Sequence, residues 1–300
     1  MISFTLFILV VRGTGVNRVG SAPIIVGVEV WSRCFGSARL EGGALRRDID
    51  DALQGWPYDP DANGVVAREI RARDGRSVLQ VRQELGILQM EVEGRPDGER
   101  PNGFRTYLEY LRYRAAERSA SPKRREQPWR LRAQHCQEVD REIAQYYHRR
   151  MAWLALQRYD QMLADADHTL ALMDFVERHC DDAEFIASHD RFRGLVLFHR
   201  TQARASLSLE RRKPEEAIDA VRDGTERIKK HEDYWQKRHD EELETPNQAL
   251  LEQLRRIEEE IRKCFDVGLT MREQLDAAIA REDYEQAARL RDAIRARGKR

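Results

Sequence analysis

The sequence predicts a mainly α chain with a small N-terminal α+β segment, a layer of paired helices and a helical hairpin at the C-terminus. Three observations carry this. Lys and Arg number 52 and Asp and Glu number 52, so 35% of the chain is charged with no net charge, at a mean hydropathy of −0.72. Such a chain buries thin apolar stripes beneath much solvated surface, as amphipathic helices do. Eighteen Gly and nine Pro in 300 residues are too few for the turns of an all-β chain. Beyond Phe104, apolar residues recur at spacings of three and four almost without interruption.

Residues 1–47 stand apart. They hold 8 charged residues and 7 of the 18 Gly, against 96 charged residues in the other 253. A break of this kind marks a change of structural regime, and 1–47 is read as a low-order N-terminal extension. Met1 to Val11 is an apolar run that lacks a basic start, and it is about half the roughly 20 residues a membrane span needs. Pro23 to Trp31 is a second short apolar run. Three readings stay open for this segment: a loose extension, one or two edge strands, or a targeting segment.

Residues 48–119 form the small α+β segment. Asp48 to Gly64 reads as a loop rich in Pro, Asp and Gly. Leu79 and Val81, then Leu88, Met90 and Val92, alternate at period two. The parity changes near Gly86, where an extra residue in a bulge would re-phase the strand faces. Two or three antiparallel strands are expected between 65 and 93, with helix as the competing reading. Turns follow at Gly94–Gly98 and Pro101–Gly103. Phe104, Tyr107, Leu108, Leu111 and Ala115 then begin a helix.

A polar linker at 120–128 leads to a helical domain at 129–244, with Pro128 placed to open its first helix. Helices are expected at Trp129–Leu156, Tyr159–Cys180, Arg191–Glu210 and Pro214–Arg238. Residues 151–172 and 205–228 share a layout of helix, short break and second helix, with Pro214 standing 55 residues after Tyr159. This resembles a tetratricopeptide-like helical-hairpin layer, although a regular repeat has a period of about 34. A plain irregular bundle is the alternative. Residues 247–300 comprise a charged helix and a hairpin. Leu250, Leu254, Ile257 and Ile261 draw one apolar stripe along that helix.

Most chemistry is excluded by what the chain lacks. It has no phosphate-binding GxxxxGK[ST], no HExxH and no GxSxG. The Gly13, Gly15 and Gly20 spacing misses the dinucleotide fingerprint. Four Cys without a CxxC pair make neither a disulfide framework nor a zinc ribbon. His135-Cys136 and His179-Cys180 are neighbours on helices, about 100° apart, so neither pair chelates by itself. His148, His189, His199, His231 and His239 read as solvated helix-face residues rather than a catalytic set. No catalytic residue, cofactor site or metal site is assigned. Lys123-Arg124-Arg125 with Trp129, Arg130 and Arg132 could meet phosphates, but a flexible polar linker is the simpler account. The charge runs at 210–244 and 252–263 carry both signs and read as solvated faces.

The C-terminal pattern is the most specific. Leu275, Ala278 and Ile279 share one helix face. Glu282-Asp283 breaks the pattern. Tyr284, Ala287, Ala288, Arg291 and Ile294 share a face of the next helix, with Asp283 placed to cap it. Small Ala residues allow two helices to approach closely. The run Leu275 to Ile294 resembles the UVR motif, the short helical hairpin named for the UvrB and UvrC subunits of bacterial nucleotide-excision repair and found also in Clp-type ATPase regulators and their partners. The resemblance covers a tenth of the chain. It implies a docking element in which two hairpins join two proteins or two copies of one. The implied partner-binding residues are Leu275, Ala278, Ile279, Tyr284, Ala287, Ala288, Arg291, Asp292 and Ile294, with Ala288 at the centre of the close approach and Arg291 and Asp292 supplying charge pairing at the rim.

The function expected from all this is a non-enzymatic, cytoplasmic adaptor. Its partner would be another protein or a second copy of itself, without membrane contact. Two alternatives come from other classes: a DNA-repair accessory that contacts nucleic acid, and an enzyme with its site in 48–103.

Overall fold

The computed structural model describes residues 49–60, 62, 64–120, 128–238 and 247–297. The expectations for 1–47 and for the basic cluster 123–125 therefore lie outside the described residues. The chain divides into two compact units after Gln145.

The first unit opens with a short helix α1 (Asp50–Gln54) inside the stretch expected to be loop. Strands β1 (Ala67–Arg71), β2 (Ser77–Gln83) and β3 (Gly86–Glu91) follow in an antiparallel sheet of order β1-β2-β3. The expected bulge at Gly86 is corrected. Pairing runs unbroken from Val78↔Glu91 to Gln83↔Gly86, so the parity change is a two-residue turn at Glu84-Leu85 between two strands. Leu79 faces Met90 and Val81 faces Leu88 across the hairpin, and cross-strand partners share a face. The other face carries a polar ladder: Arg68 Nε donates to Gln80 Oε1 (2.9 Å) and Gln80 Nε2 to Gln89 Oε1 (2.9 Å). The Trp56 ring covers it, 4.1 Å from the Arg68 guanidinium carbon. β2 is thus covered on both sides.

Helix α2 (Tyr107–Ala120) begins where Glu142 reaches it from α3 (Ala133–Ala155). The buried Glu142 carboxylate accepts from Tyr107 N (2.6 Å) and Leu108 N (3.1 Å), placing negative charge at the positive end of a helix. Buried Arg95 ties the 94–105 loop down through Asp97 (3.0 Å) and Glu138 (2.8 Å). Helix α3 starts at Ala133 rather than at Pro128. Arg132 N donates to His135 Nδ1 (2.9 Å), and buried Trp129 lies against the His135 ring, which holds 129–132 off the helical path.

The second unit holds the last part of α3 and helices α4 (Tyr159–His179), α5 (Ala183–Asp190), α6 (Arg193–Glu210), α7 (Pro214–Gln236), α8 (Asn247–Phe265), α9 (Met271–Ala280) and α10 (Tyr284–Arg297). Helix α5 was not expected. Asp182 caps it by accepting from Glu184 N and Phe185 N, a signal hidden in the acidic pair Asp181-Asp182. Helix α6 packs on α4 and α7, and α8 lies against α7 and α6. Leu250, Leu254, Ile257 and Ile261 are all buried, as their stripe predicts.

Three histidines read as solvated are buried: His189, His199 and His231. His231 Nε2 lies 3.0 Å from Asp190 Oδ2, Arg193 Nε donates to Asp190 Oδ1 (2.5 Å), and His199 Nδ1 accepts from Arg150 Nε (3.1 Å). His148 is half-buried, and His239 lies outside the described residues. Burial, reinforced by the Arg150 charge, holds the His199 imidazole well below the usual histidine range. Below about pH 6.5 the unfolded chain therefore takes up a proton that the folded chain refuses, so this contribution to stability is full above that pH and falls as acid is added. His199→Gln retains an acceptor for Arg150 and removes the titration. Thermal unfolding from about pH 7 down to about pH 5 should lose less Tm in the variant than in the parent. Burial lowers His135 and His148 in the same direction, so the slope should shrink rather than vanish.

Candidate partner-docking site

Three helix pairs of the second unit turn in the same way. Gln157 (φ 58°) lies between α3 and α4, Arg212 (φ 57°) between α6 and α7, and Glu282 (φ 60°) between α9 and α10. In each case the next N–H reaches back five residues: Arg158 N to Trp153 O, Lys213 N to Ser208 O and Asp283 N to Ala278 O, all 2.9 Å. This is the Schellman arrangement, which satisfies carbonyls left over at a helix end. The following helix then starts with Tyr159, Pro214 or Tyr284, and its fourth residue, Met162, Ala217 or Ala287, is buried. The match of Tyr159 to Pro214 is legible in the sequence. The third member was missed, although Tyr284-Glu285-Gln286 echoes Tyr159-Asp160-Gln161.

The terminal hairpin is capped at both helix starts. Thr270 and Glu273 form a capping box on α9, with Glu273 Oε2 accepting from Thr270 N at 2.7 Å. Asp283 caps α10 as expected, accepting from Gln286 N at 3.0 Å. The Thr270–Glu273 signal was readable but lies upstream of the stretch from Leu275 that the sequence singles out.

The nine implied residues fall into separate groups. Ala278 and Ala287 are buried where the two helices meet. Ala288, expected at that centre, is half-buried, as are Leu275 and Ile294. The helical rotation of about 100° per residue puts Ala287, not its neighbour, on the line of closest approach. Ile279 and Tyr284 stand out at the turn, 52% and 69% exposed. Arg291 and Asp292 are exposed and bonded to each other, Nε to Oδ1 at 3.1 Å. Ile294 and Met271 line a cleft of about 550 Å³ with Leu163, Leu207 and Ala220.

The hairpin is held to α7 by charged groups. Arg222 meets Glu273 (2.9 Å) and Asp276 (3.7 Å), Arg272 meets Asp219 (3.5 Å) and Asp223 (3.2 Å), and Thr270 Oγ1 donates to Asp219 Oδ1 (3.0 Å).

In the first unit a cavity of about 450 Å³ beside β3 is lined by Arg76, Arg95, Arg100 and Arg105 together with acidic residues. Arg76 pairs with Glu91 and Arg105 with Glu93, which offsets most of that charge. Trp129, proposed beside the basic cluster, is buried and so cannot stack on a base. Among the described residues no three His, Cys, Asp or Glu side chains are grouped to hold a metal, and no helix is long and apolar enough to cross a membrane.

No curated protein and no solved structure matches the chain. Residues 270–296 match the family model described as the UvrB/uvrC motif, with boundaries that enclose the Thr270 cap, both helices and their turn. The hairpin α9–α10 carries a UVR motif.

Proposed function

We propose that this chain is a non-enzymatic adaptor that docks a partner protein, or a second copy of itself, through hairpin α9–α10. The observation that carries this is the exposure of Ile279 and Tyr284 at the tip of a hairpin whose helices already close on Ala278 and Ala287. Apolar side chains left largely open to water can bury further surface only against a partner. The exposed Arg291 and Asp292 add charges of both signs, which set register more than affinity. The shared Schellman turns at Gln157 and Arg212 support a tetratricopeptide-like reading of the layer that carries the hairpin.

The test compares the full chain with one ending at Asp266 for recovery of co-purifying protein and for self-association. Equal results from both would remove the hairpin from the function. A point variant sharpens it. Ala287→Leu should cost roughly 1–3 kcal/mol through overpacking between α9 and α10, and docking should fail while circular dichroism shows the remaining helices intact. Ala288→Leu, at a half-buried position, should be milder. Asp292→Ala should loosen docking without unfolding the hairpin.

A further inference from the structure

We infer that the hairpin is parked on its own chain by an electrostatic latch, and that opening this latch controls its access to a second copy. The inference rests on the docking role proposed above and adds its regulation.

The latch has two arginines, one on each side. Arg222 of α7 reaches Glu273 and Asp276 of α9, while Arg272 of α9 reaches Asp219 and Asp223 of α7. Glu273 is shared, since Arg262 of α8 also bonds it at 2.7 Å. Most of these side chains are partly open to water, so salt screens their attraction. The bonds joining the hairpin to α7 are these ion pairs and one hydrogen bond, from buried Thr270 Oγ1 to Asp219 Oδ1 (3.0 Å), whereas α9 and α10 close on each other through alanines. The hairpin can thus leave as a folded body.

The pivot for it is the connection from α8, which Val267 N (to Arg262 O, 3.1 Å) and Arg262 Nη1 (to Gly268 O, 2.5 Å) tie to the end of α8 and not to α7. Helix α8 ends at Phe265, Asp266 takes a left-handed backbone (φ 50°), and Val267-Gly268-Leu269 precede the Thr270 cap. Adding a Cβ at Gly268 would meet nothing within 4 Å. What the latch covers is the Ile294 end: Ile294 and Met271 face the cleft toward α6 and α7, while Ile279 and Tyr284 point away. A partner that uses both ends of the hairpin must displace α7. A second copy fits this need, because Arg291 and Asp292 are adjacent charges of opposite sign. A two-fold pairing sets each against its opposite on the other copy.

The test places nitroxide-bearing noncanonical residues at positions 226 and 285, both exposed, in the full chain and reads their separation by pulsed electron resonance. At low salt a single narrow distance is expected. At about 1 M salt, where the screening length falls to about 3 Å, the distribution should broaden to longer distances. Asp219→Arg with Asp223→Arg should broaden it at low salt, and adding Arg272→Asp should restore the narrow peak. If the latched form leaves about one chain in ten open, and a two-fold pair needs both copies open, the double variant should self-associate about a hundredfold more tightly by sedimentation. A distance unmoved by salt and by charge reversal, with helicity intact, overturns the latch. A distance that opens without tighter self-association overturns the control of access. Either failure leaves the docking reading to its own truncation test, which reads recovery with and without the hairpin.

Discussion

Gly224→Ala is expected to destabilise the second unit by about 1–3 kcal/mol, although alanine is the better helix former by roughly 1 kcal/mol. Gly224 lies in the middle of α7 where that helix crosses α6. An added Cβ would sit 2.6 Å from Thr201 Cβ and closer still to its branches. Thr201 is buried and its hydroxyl donates to Leu197 O (2.8 Å), so it has no free rotamer to retreat into. The helices themselves must part, along an interface that also positions α7 under the hairpin latch. Urea unfolding should show a lower midpoint at unchanged slope. Two glycines serve as comparisons. At Gly194 the obstacle is the Asn247 side-chain amide, which can turn aside, so Gly194→Ala should cost less. At Gly268 nothing is near, and Gly268→Ala should stay within about 0.5 kcal/mol. If Gly224→Ala is neutral, the close crossing of α6 and α7 is wrong.

That crossing was not legible in the sequence, and the reason is physical. A glycine inside a helical pattern marks close approach only when its partner is known, and Thr201 lies 23 residues away on another helix. Local signals fared better. The stripe Leu250, Leu254, Ile257 and Ile261, the Asp283 cap and the period-two alternation of Leu79 with Val81 and of Leu88 with Met90 all follow from spacing and propensity within a few turns. The misread bulge at Gly86 is of the same local kind: one parity change fits either an inserted residue or a reversal of direction, and only the register between strands separates them. The hairpin itself was legible because its residue types are specific. Their division into packing alanines, an exposed tip and a covered Ile294 depends on what lies beneath, which is α7. Charge composition hid that layer most. The run at 210–244, carrying both signs, reads as a solvated face, yet its Asp219, Arg222 and Asp223 meet residues of α9 about 50 positions on.

The same blindness conceals the most consequential buried group. Arg149 and Arg150 are adjacent in α3 and both are buried, Arg150 to 1% exposure. Asp165 of α4 receives Arg149 in a two-pronged pair, at 2.9 and 2.7 Å. Arg150 is bonded by no carboxylate among the described residues. It donates to His199 and to Thr169 Oγ1 (3.1 Å each), and burial pulls its guanidinium down to about 10 despite attraction from Asp165. One carboxylate therefore serves two buried cations. Asp165→Ala should cost about 3–5 kcal/mol, the range for breaking a buried pair and stranding its partner, and here a second cation is stranded with it. Asp165→Asn keeps the shape and one acceptor, so it should fall between alanine and the parent. Arg149→Leu with Asp165→Leu removes the pair together. It should recover only part of the loss, because it removes the Arg149 charge but leaves Arg150 buried without the carboxylate that favours it. Chemical denaturation of the four proteins measures each step. If the double variant is no more stable than Asp165→Ala alone, then shape and hydrogen bonding, not charge balance, hold α3 to α4. Full recovery to the parent's stability would instead overturn the account of Arg150 as a cation kept in place by a neighbour's carboxylate.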